Sequence, residues 1–234
     1  VPSPDGETLR HLLLPILMLL SPLAARALPL AEPGDAALRQ DLQWLADRGC
    51  LEAPIQGWPV SWVDLEPRDT DACRGPAARA VRERRERALR PGTSAGLRLA
   101  GASQTPFIRD FGDTTREEGE AQASLAWQNR RFAVRLSATA VAEPLDEEEA
   151  RADGSRASVR LGNWRLGAGT LDRWWGPGWH SNLLLSNNAR PVPGVWLNRR
   201  RSTAFDTDWL SWAGPWSLQL FAGRMESDRA VPRA

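Results

Sequence analysis

From about residue 93 onward, apolar and polar positions alternate with a period of two. Leu97 and Leu99 flank Arg98, and Ala121, Ala123, Leu125 and Trp127 share one face. Gln128-Asn129-Arg130-Arg131 reads as a turn. Phe132, Val134, Leu136, Ala138 and Ala140 then fill one face, with Arg135, Ser137 and Thr139 on the other. That is a hairpin with an apolar and a polar side. Val159 and Leu161 alternate with Ser158 and Arg160. After a turn at Gly162-Asn163, Trp164, Leu166, Ala168 and Thr170 oppose Arg165, Gly167 and Gly169. Residues 195–201 and 205–212 read as two more strands. Ala213-Gly214-Pro215 turns into a last one, with Trp216, Leu218, Leu220 and Ala222 on one face. The stretch 143–155 is acidic and turn-rich, and reads as an exposed loop.

Upstream the period changes. Asp35 is placed to cap a helix from 36 to about 48, with Leu38, Leu42 and Leu45 as its apolar stripe and Gly49 at its end. A connector rich in Trp and Pro (54–62) follows. Gly75-Pro76 opens a second helix with a thin apolar face of Ala77, Val81, Ala88 and Leu89. Arg79, Arg82, Arg84, Arg85, Arg87 and Arg90 cover the rest of it. That face reads as solvated, with contact to anionic lipid headgroups or lipopolysaccharide phosphates as the minority reading. Residues 1–27 read as a cleaved export signal. Arg10 and His11 precede an apolar run too short to span a bilayer, and Ala25-Arg26-Ala27 fits the cleavage rule. The expected organisation is therefore 1–27 signal peptide, 28–92 small helical segment and 93–234 strands.

Alternating strands fit a soluble sandwich or a membrane barrel. Arg135, Arg160 and Arg165 on the polar faces favour a barrel, whose aqueous lumen tolerates them. So do apolar faces that mix Ala with large residues, a run at 132–140 of spanning length, and Trp127, Trp164, Trp209 and Trp216 near strand ends. The hydrophobic share is 42% and mean hydropathy −0.42, which excludes a helical polytopic membrane protein but not a barrel. A net charge of +1 implies no field for nucleic acid. Cys50 and Cys73 are the only cysteines. In an exported chain a disulfide is the expected state, with free thiols or a metal site as alternatives.

The richest chemistry runs from Asp172 to Arg200, where 12 Trp in the whole chain become locally dense. Gly176, Pro177, Gly178, Pro191, Pro193 and Gly194 interrupt helix and ladder alike, so the stretch reads as an ordered connection between strands. Indole faces beside amides and guanidinium groups suit sugar rings, with their apolar CH faces and hydroxyl rims. Trp174, Trp175 and Trp179 are the stacking candidates; His180, Asn187, Asn188 and Arg190 complete the candidate polysaccharide-binding set. The alternative is that the tryptophans pack a sheet end or mark a membrane interface. Asp172, Asp206 and Asp208 are carboxylates near the cluster, but no motif pairs them for glycoside hydrolysis.

Asp172-Arg173-Trp174-Trp175-Gly176-Pro177-Gly178, followed by Leu185-Ser186-Asn187-Asn188-Ala189-Arg190-Pro191, resembles the signature region of the Wzi capsule assembly family. The likeness extends from about residue 38 to 232. It implies a mainly β fold, an antiparallel outer-membrane β-barrel preceded by a small α-helical periplasmic segment. It implies further a non-enzymatic, lectin-like protein of the Gram-negative outer membrane that binds capsular or exopolysaccharide and helps its assembly or attachment at the cell surface. A glycan-processing hydrolase and a non-specific porin are the alternatives. The expected partners are that polysaccharide and outer-membrane lipid, with no nucleic acid, metal or cofactor, and the chain is taken as a monomer. Family members are longer, so the sequence is expected to be an N-terminal part of a barrel.

Overall fold

The computed structural model describes residues 29–104, 108–144, 148–182 and 184–225. The expected export signal at 1–27 lies outside the described residues.

The first region is a small lobe around a dry core. Helix α1 (Ala36–Asp47) starts where Asp35 Oδ1 accepts the Leu38 amide at 2.8 Å, satisfying one of the first turn's orphan donors. Just beyond its end Gly49 has φ +66°, a conformation that favours a residue without Cβ. Leu38, Leu42 and Leu45 face helix α2 (Pro76–Leu89), which buries Ala78, Val81 and Ala88. Ile55, Trp58, Trp62 and Leu65 of the connector join the same cluster. Burying each large side chain contributes about 1.5–3 kcal/mol. Two-residue strands β1 (Leu30–Ala31) and β3 (Val60–Ser61) pair antiparallel. Cys50 and Cys73 are disulfide-bonded and join the end of α1 to the turn before α2. Much of the Arg face of α2 is used internally. Arg82 donates to the carbonyls of Pro67 and Arg68, Arg84 pairs with Asp41 at 3.1 Å, and Arg85 with Glu66 at 2.6 Å.

The second region is one antiparallel sheet. Its strands are β4 (Gly92–Gly101), β5 (Gly119–Gln128), β6 (Phe132–Ala142), β8 (Arg156–Leu161), β9 (Trp164–Gly169), β11 (Gly194–Arg199) and β12 (Gln219–Gly223), side by side in that order. A short β7 (Ala150–Arg151) also pairs with β6. β4, β5 and β6 are 10, 10 and 11 residues long, the length of a tilted membrane strand. Among the described residues β4 and β12 are the edges and the wall does not close. Leu97, Leu99, Leu125, Leu136, Leu166, Val195 and Leu220 point outward and are 44–61% exposed. Ser137, Thr139, Arg156, Arg165 and Asn198 point the other way and are buried. Water does not select for that arrangement; lipid outside and a polar interior do. No described helix is long and apolar enough to cross a membrane.

The lobe docks on the polar face, mainly through hydrogen bonds. Glu32 pairs with Arg156 and, at 3.7 Å, with Arg135. Gln219 Nε2 donates to the carbonyls of Gly57 (2.7 Å) and Pro59 (3.1 Å); Gln128 Nε2 donates to those of Ala88 (2.6 Å) and Arg90 (2.7 Å). Asp64 accepts the amide of Ser202 at 2.8 Å and its hydroxyl at 2.5 Å. Phe111 and Trp174 enter the lobe's core beside Trp58, and a second apolar contact reinforces the seam where Leu30 meets Leu171 and Trp196. Gly167 makes room for it, since a Cβ there would lie 2.1 Å from the Trp196 ring.

Two local expectations are corrected. Residues 205–212 are not a strand: they carry a single helical turn, α3 (Asp208–Ser211), in which the amides of Leu210 and Ser211 donate to Thr207 O. Asp206-Thr207-Asp208 favours such local bonding over a ladder. The turn leaves Trp209 and Trp212 on the surface, at the end of the sheet where Trp164 meets Trp216. Nor is 143–155 wholly an exposed loop. Within it, β7 extends the β6 ladder and Arg151 turns inward, pairing with Glu117 at 3.0 Å, both buried.

Candidate functional site

The two ends of the sheet differ. At one end β5–β6 and β8–β9 are joined by tight turns (129–131 and 162–163), with one long connection (200–218) from β11 to β12; at the other every connection is long (102–118, 143–155 and 170–193). The aromatic, amide and Arg-rich stretch belongs to the long-loop end, and the structure shows how it is held.

Strand β10 (Trp174–Trp175) pairs antiparallel with β2 (Gly57–Trp58), so the 170–193 loop is tied to the lobe. Phe111 stands at the centre of the seam. Its ring lies 4.9 Å from Trp58, 5.6 Å from Trp174 and 6.1 Å from Trp179, all edge-on. The Arg39 guanidinium is inserted among these rings, 4.3 Å from the Phe111 centroid and 4.5 Å from that of Trp179, and its Nη2 donates to Pro177 O at 2.9 Å. Burial holds its pKa below the usual arginine value. Such π contacts to a desolvated cation are worth about 2 kcal/mol. Gly176 has φ +146°, and a Cβ there would strike the Asn182 amide.

The candidate residues therefore divide. Trp174 is fully buried and its Nε1 donates to Gly178 O at 2.8 Å, so its indole offers no face to a sugar; it is a core residue. Trp175 is half-buried, its amide bonded to Leu185 O. Asn187 is buried, and its carbonyl accepts from Arg109 Nη1 at 2.7 Å. The Asn188 side chain is exposed, but its Oδ1 accepts the Arg109 amide at 2.7 Å. Arg190 takes Asp153 in a two-pronged pair (3.0 and 3.3 Å) and Glu148 at 2.6 Å. Among the candidates Trp179, packed on one side against Phe111 and Arg39, and His180 are also exposed. Much of the set thus holds the loops together rather than facing outward.

Beneath these loops lies a cavity of about 570 Å³, within the ~300–1,000 Å³ range of small-molecule sites. Its walls are charged and internally paired. Arg98 grips Asp113 with two bonds (2.7 and 2.8 Å) and Glu120 with a third (2.7 Å). Arg116 pairs with Asp172 at 2.7 Å. Arg109 bonds Thr114 through its carbonyl and hydroxyl; burial, with Arg116 close by, draws its pKa down to about 10. Fixed guanidinium and carboxylate groups of this kind offer donors and acceptors to vicinal hydroxyls while leaving no large net charge. Sequence reasoning did not single out Arg98, Arg109, Asp113, Arg116 or Glu120. The signal for Arg98 and Glu120 was their inward place in the alternation; the other three lie in a loop without a pattern. Asp206 and Asp208 lie at the tight-turn end, away from Asp172, so the three carboxylates do not converge.

An antiparallel wall with apolar residues outside, a polar interior and a lobe docked on the inner face defines the class: part of a membrane-type β-barrel. The family model of the capsule assembly protein Wzi matches residues 90–234, and the chain belongs to that family. An uncharacterized 55.8 kDa protein from the cps region of Klebsiella pneumoniae is 30% identical over 207 residues, covering 86% of this chain and 41% of that relative. The solved structure of Wzi from Escherichia coli, described as an outer membrane protein involved in group 1 capsule assembly and a carbohydrate-binding β-barrel, superposes with a TM-score of 0.71 at 24% identity. The match covers 85% of this chain and 46% of that one. The chain spans less than half the length of both proteins.

Proposed function

We propose that this chain is part of an outer-membrane β-barrel that binds capsular or related surface polysaccharide at its long-loop end and helps assemble or attach it at the cell surface, without catalysis. Membership of the Wzi family supports the reading, as does the description of the Escherichia coli protein as carbohydrate-binding. The observation that carries it is the polar cavity, walled by preset Arg–carboxylate pairs and by Asn187, of the same loop that bears Trp179, His180 and Asn188. Trp179 stacks on a sugar ring, Asn188 and His180 bond its hydroxyls, and the pairs around Arg98 and Arg116 receive the next residue. Trp174, Asn187 and Arg190 hold the loops in place. The apolar outer face meets lipid, and the protein works as a monomer.

The test is binding of purified surface polysaccharide to the full-length protein, with retention of that polysaccharide on cells. Trp179→Ala combined with His180→Ala is expected to weaken binding about tenfold, a loss of about 1.4 kcal/mol. Unchanged binding in a correctly assembled barrel sinks the assignment of this rim. Release of reducing ends from the polysaccharide, abolished by Asp172→Asn, overturns the non-catalytic reading.

A further inference from the structure

At the tight-turn end of the sheet, arginines meet one another instead of carboxylates. Arg160 and Arg165 stand directly opposite on β8 and β9, on the polar face. Like charges in that position repel. Arg165 is 5% exposed, and its guanidinium bonds a neutral hydroxyl, Ser158 Oγ at 3.1 Å. Arg200 folds over the neighbouring turn: its amide donates to Asn163 O at 2.8 Å and its Nη1 to Gly162 O at 2.9 Å. Its Nε is buried without a hydrogen-bond partner. Burial, with Arg160 and Arg201 nearby, holds the Arg200 guanidinium below its usual pKa. Arg201 is fixed beside it by a reciprocal pair of bonds with Asn163, at 3.0 and 3.1 Å. The Arg160 amide donates to Arg131 O at 2.7 Å, which brings the turn carrying Arg130 and Arg131 alongside.

Among the described residues none of these six arginines forms an ion pair with a carboxylate. In the cavity at the other end, Arg98, Arg116, Arg135 and Arg151 each do. A buried cation without a counter-charge is costly, and clustering like charges adds to that cost. Guanidinium groups are well suited to taking an oxyanion in a two-pronged grip.

We propose that Arg160, Arg165, Arg200 and Arg201 form a binding site for an oxyanion, the carboxylate or phosphate group of a soluble ligand that arrives on the polar face of the wall. Arg165 and Arg200 are its floor, and the exposed Arg160 and Arg201 its rim. A lipid headgroup is disfavoured by geometry. Leu161, Trp164 and Leu166 point to the opposite, apolar side of the same strands, so a lipid lying there has the sheet between its phosphate and Arg165. The site stands apart from the proposed glycan cavity and goes beyond that reading.

The test uses the full-length protein in detergent, with inorganic phosphate as the probe and chloride at matched ionic strength as the control. Phosphate is expected to raise the unfolding temperature saturably, as a ligand of the folded state does, and chloride is not. The Arg160→Gln/Arg201→Gln variant is expected to unfold no lower than the parent without phosphate, because repulsion is relieved. Its apparent phosphate affinity falls about tenfold or more. Arg201→Gln alone, at an exposed position, is the second variant and loses several-fold. An oligomer of a uronic acid is expected to compete with phosphate while a neutral oligosaccharide does not. Competition only by nanodiscs containing phosphatidylglycerol overturns the assignment and places a lipid headgroup at the site. A parent that responds equally to phosphate and chloride, or variants that respond like the parent, overturn the site itself. Polysaccharide binding at the long-loop end is unchanged in these variants, so this test and that of the glycan site fail separately.

Discussion

The lobe and the sheet use the same kinds of residue in opposite ways. In the lobe, Leu42, Leu45, Trp58 and Val81 are sealed from solvent, and charged side chains such as Arg84 and Glu66 lie around them. In the sheet, Leu125, Leu136 and Leu220 are about half exposed, while Arg156 and Arg165 are inside. The lobe resembles any water-soluble core. The sheet has no such core: among the described residues its wall buries Ala126 against Ala133, Val141, and Trp196 at the seam. Its stability must come from the ladder, from polar contacts within, and from the medium outside. The contrast therefore identifies that medium, because only lipid makes a leucine-studded outer face favourable.

The comparison breaks first at its most sensitive points. Leu42→Ala opens a cavity between α1 and α2 and is expected to destabilise the lobe by about 2–5 kcal/mol, read from denaturant unfolding followed by lobe tryptophans. The same truncation at Leu136 removes no packed core and is expected to cost far less. Leu136→Arg sharpens the contrast. In a bilayer an arginine at the middle of the outer face costs about 2–4 kcal/mol, whereas an exposed leucine facing water tolerates the change within about 0.5 kcal/mol. Folding into lipid vesicles and unfolding by denaturant measures the difference. A neutral result for Leu136→Arg would mean that water, not lipid, meets this face.

How much of this was legible in the chain follows from which force fixes each part. The sheet's inside and outside are set by a period of two, so Leu97 and Arg98, or Leu136 and Arg135, announce their faces in the chain itself. Helices α1 and α2 were legible from Asp35, Gly49 and Pro76, whose backbone roles are local. The loop end was not. Trp174 and Trp179 have the same chemistry in sequence, yet one is core and the other surface, because Phe111 and Arg39 arrive from 60 and more residues away. Arg190 looked like a ligand donor until Asp153 and Glu148 were brought to it by the β6–β7 ladder. Residues 205–212 misled because Phe205, Thr207 and Trp209 imitate alternation, while Asp206 and Asp208 provide turn chemistry that periodicity does not weigh.

The smallest expected effect concerns the join between the two regions, where Arg39 of the lobe is held by rings from two sheet loops. Arg39→Met keeps the length and apolar stem and removes the charge, all three π contacts and the bond to Pro177 O. Loss of about 2 kcal/mol of cation–π attraction is offset by no longer burying a guanidinium whose Nη1 has no partner. The net change in global stability is therefore expected to stay within about 1 kcal/mol. The local effect is larger. The Phe111 amide, which donates to Trp179 O at 2.9 Å, and the Gly176 amide, which donates to Gln56 O at 2.8 Å, are expected to exchange with solvent faster, while the amides of α1 around Leu42 keep their protection. Equal exchange in parent and variant would show that the β2–β10 pairing alone ties the loop to the lobe. Faster exchange throughout α1 would show instead that the arginine belongs to the lobe's own core, and the boundary between the two regions would have to be redrawn.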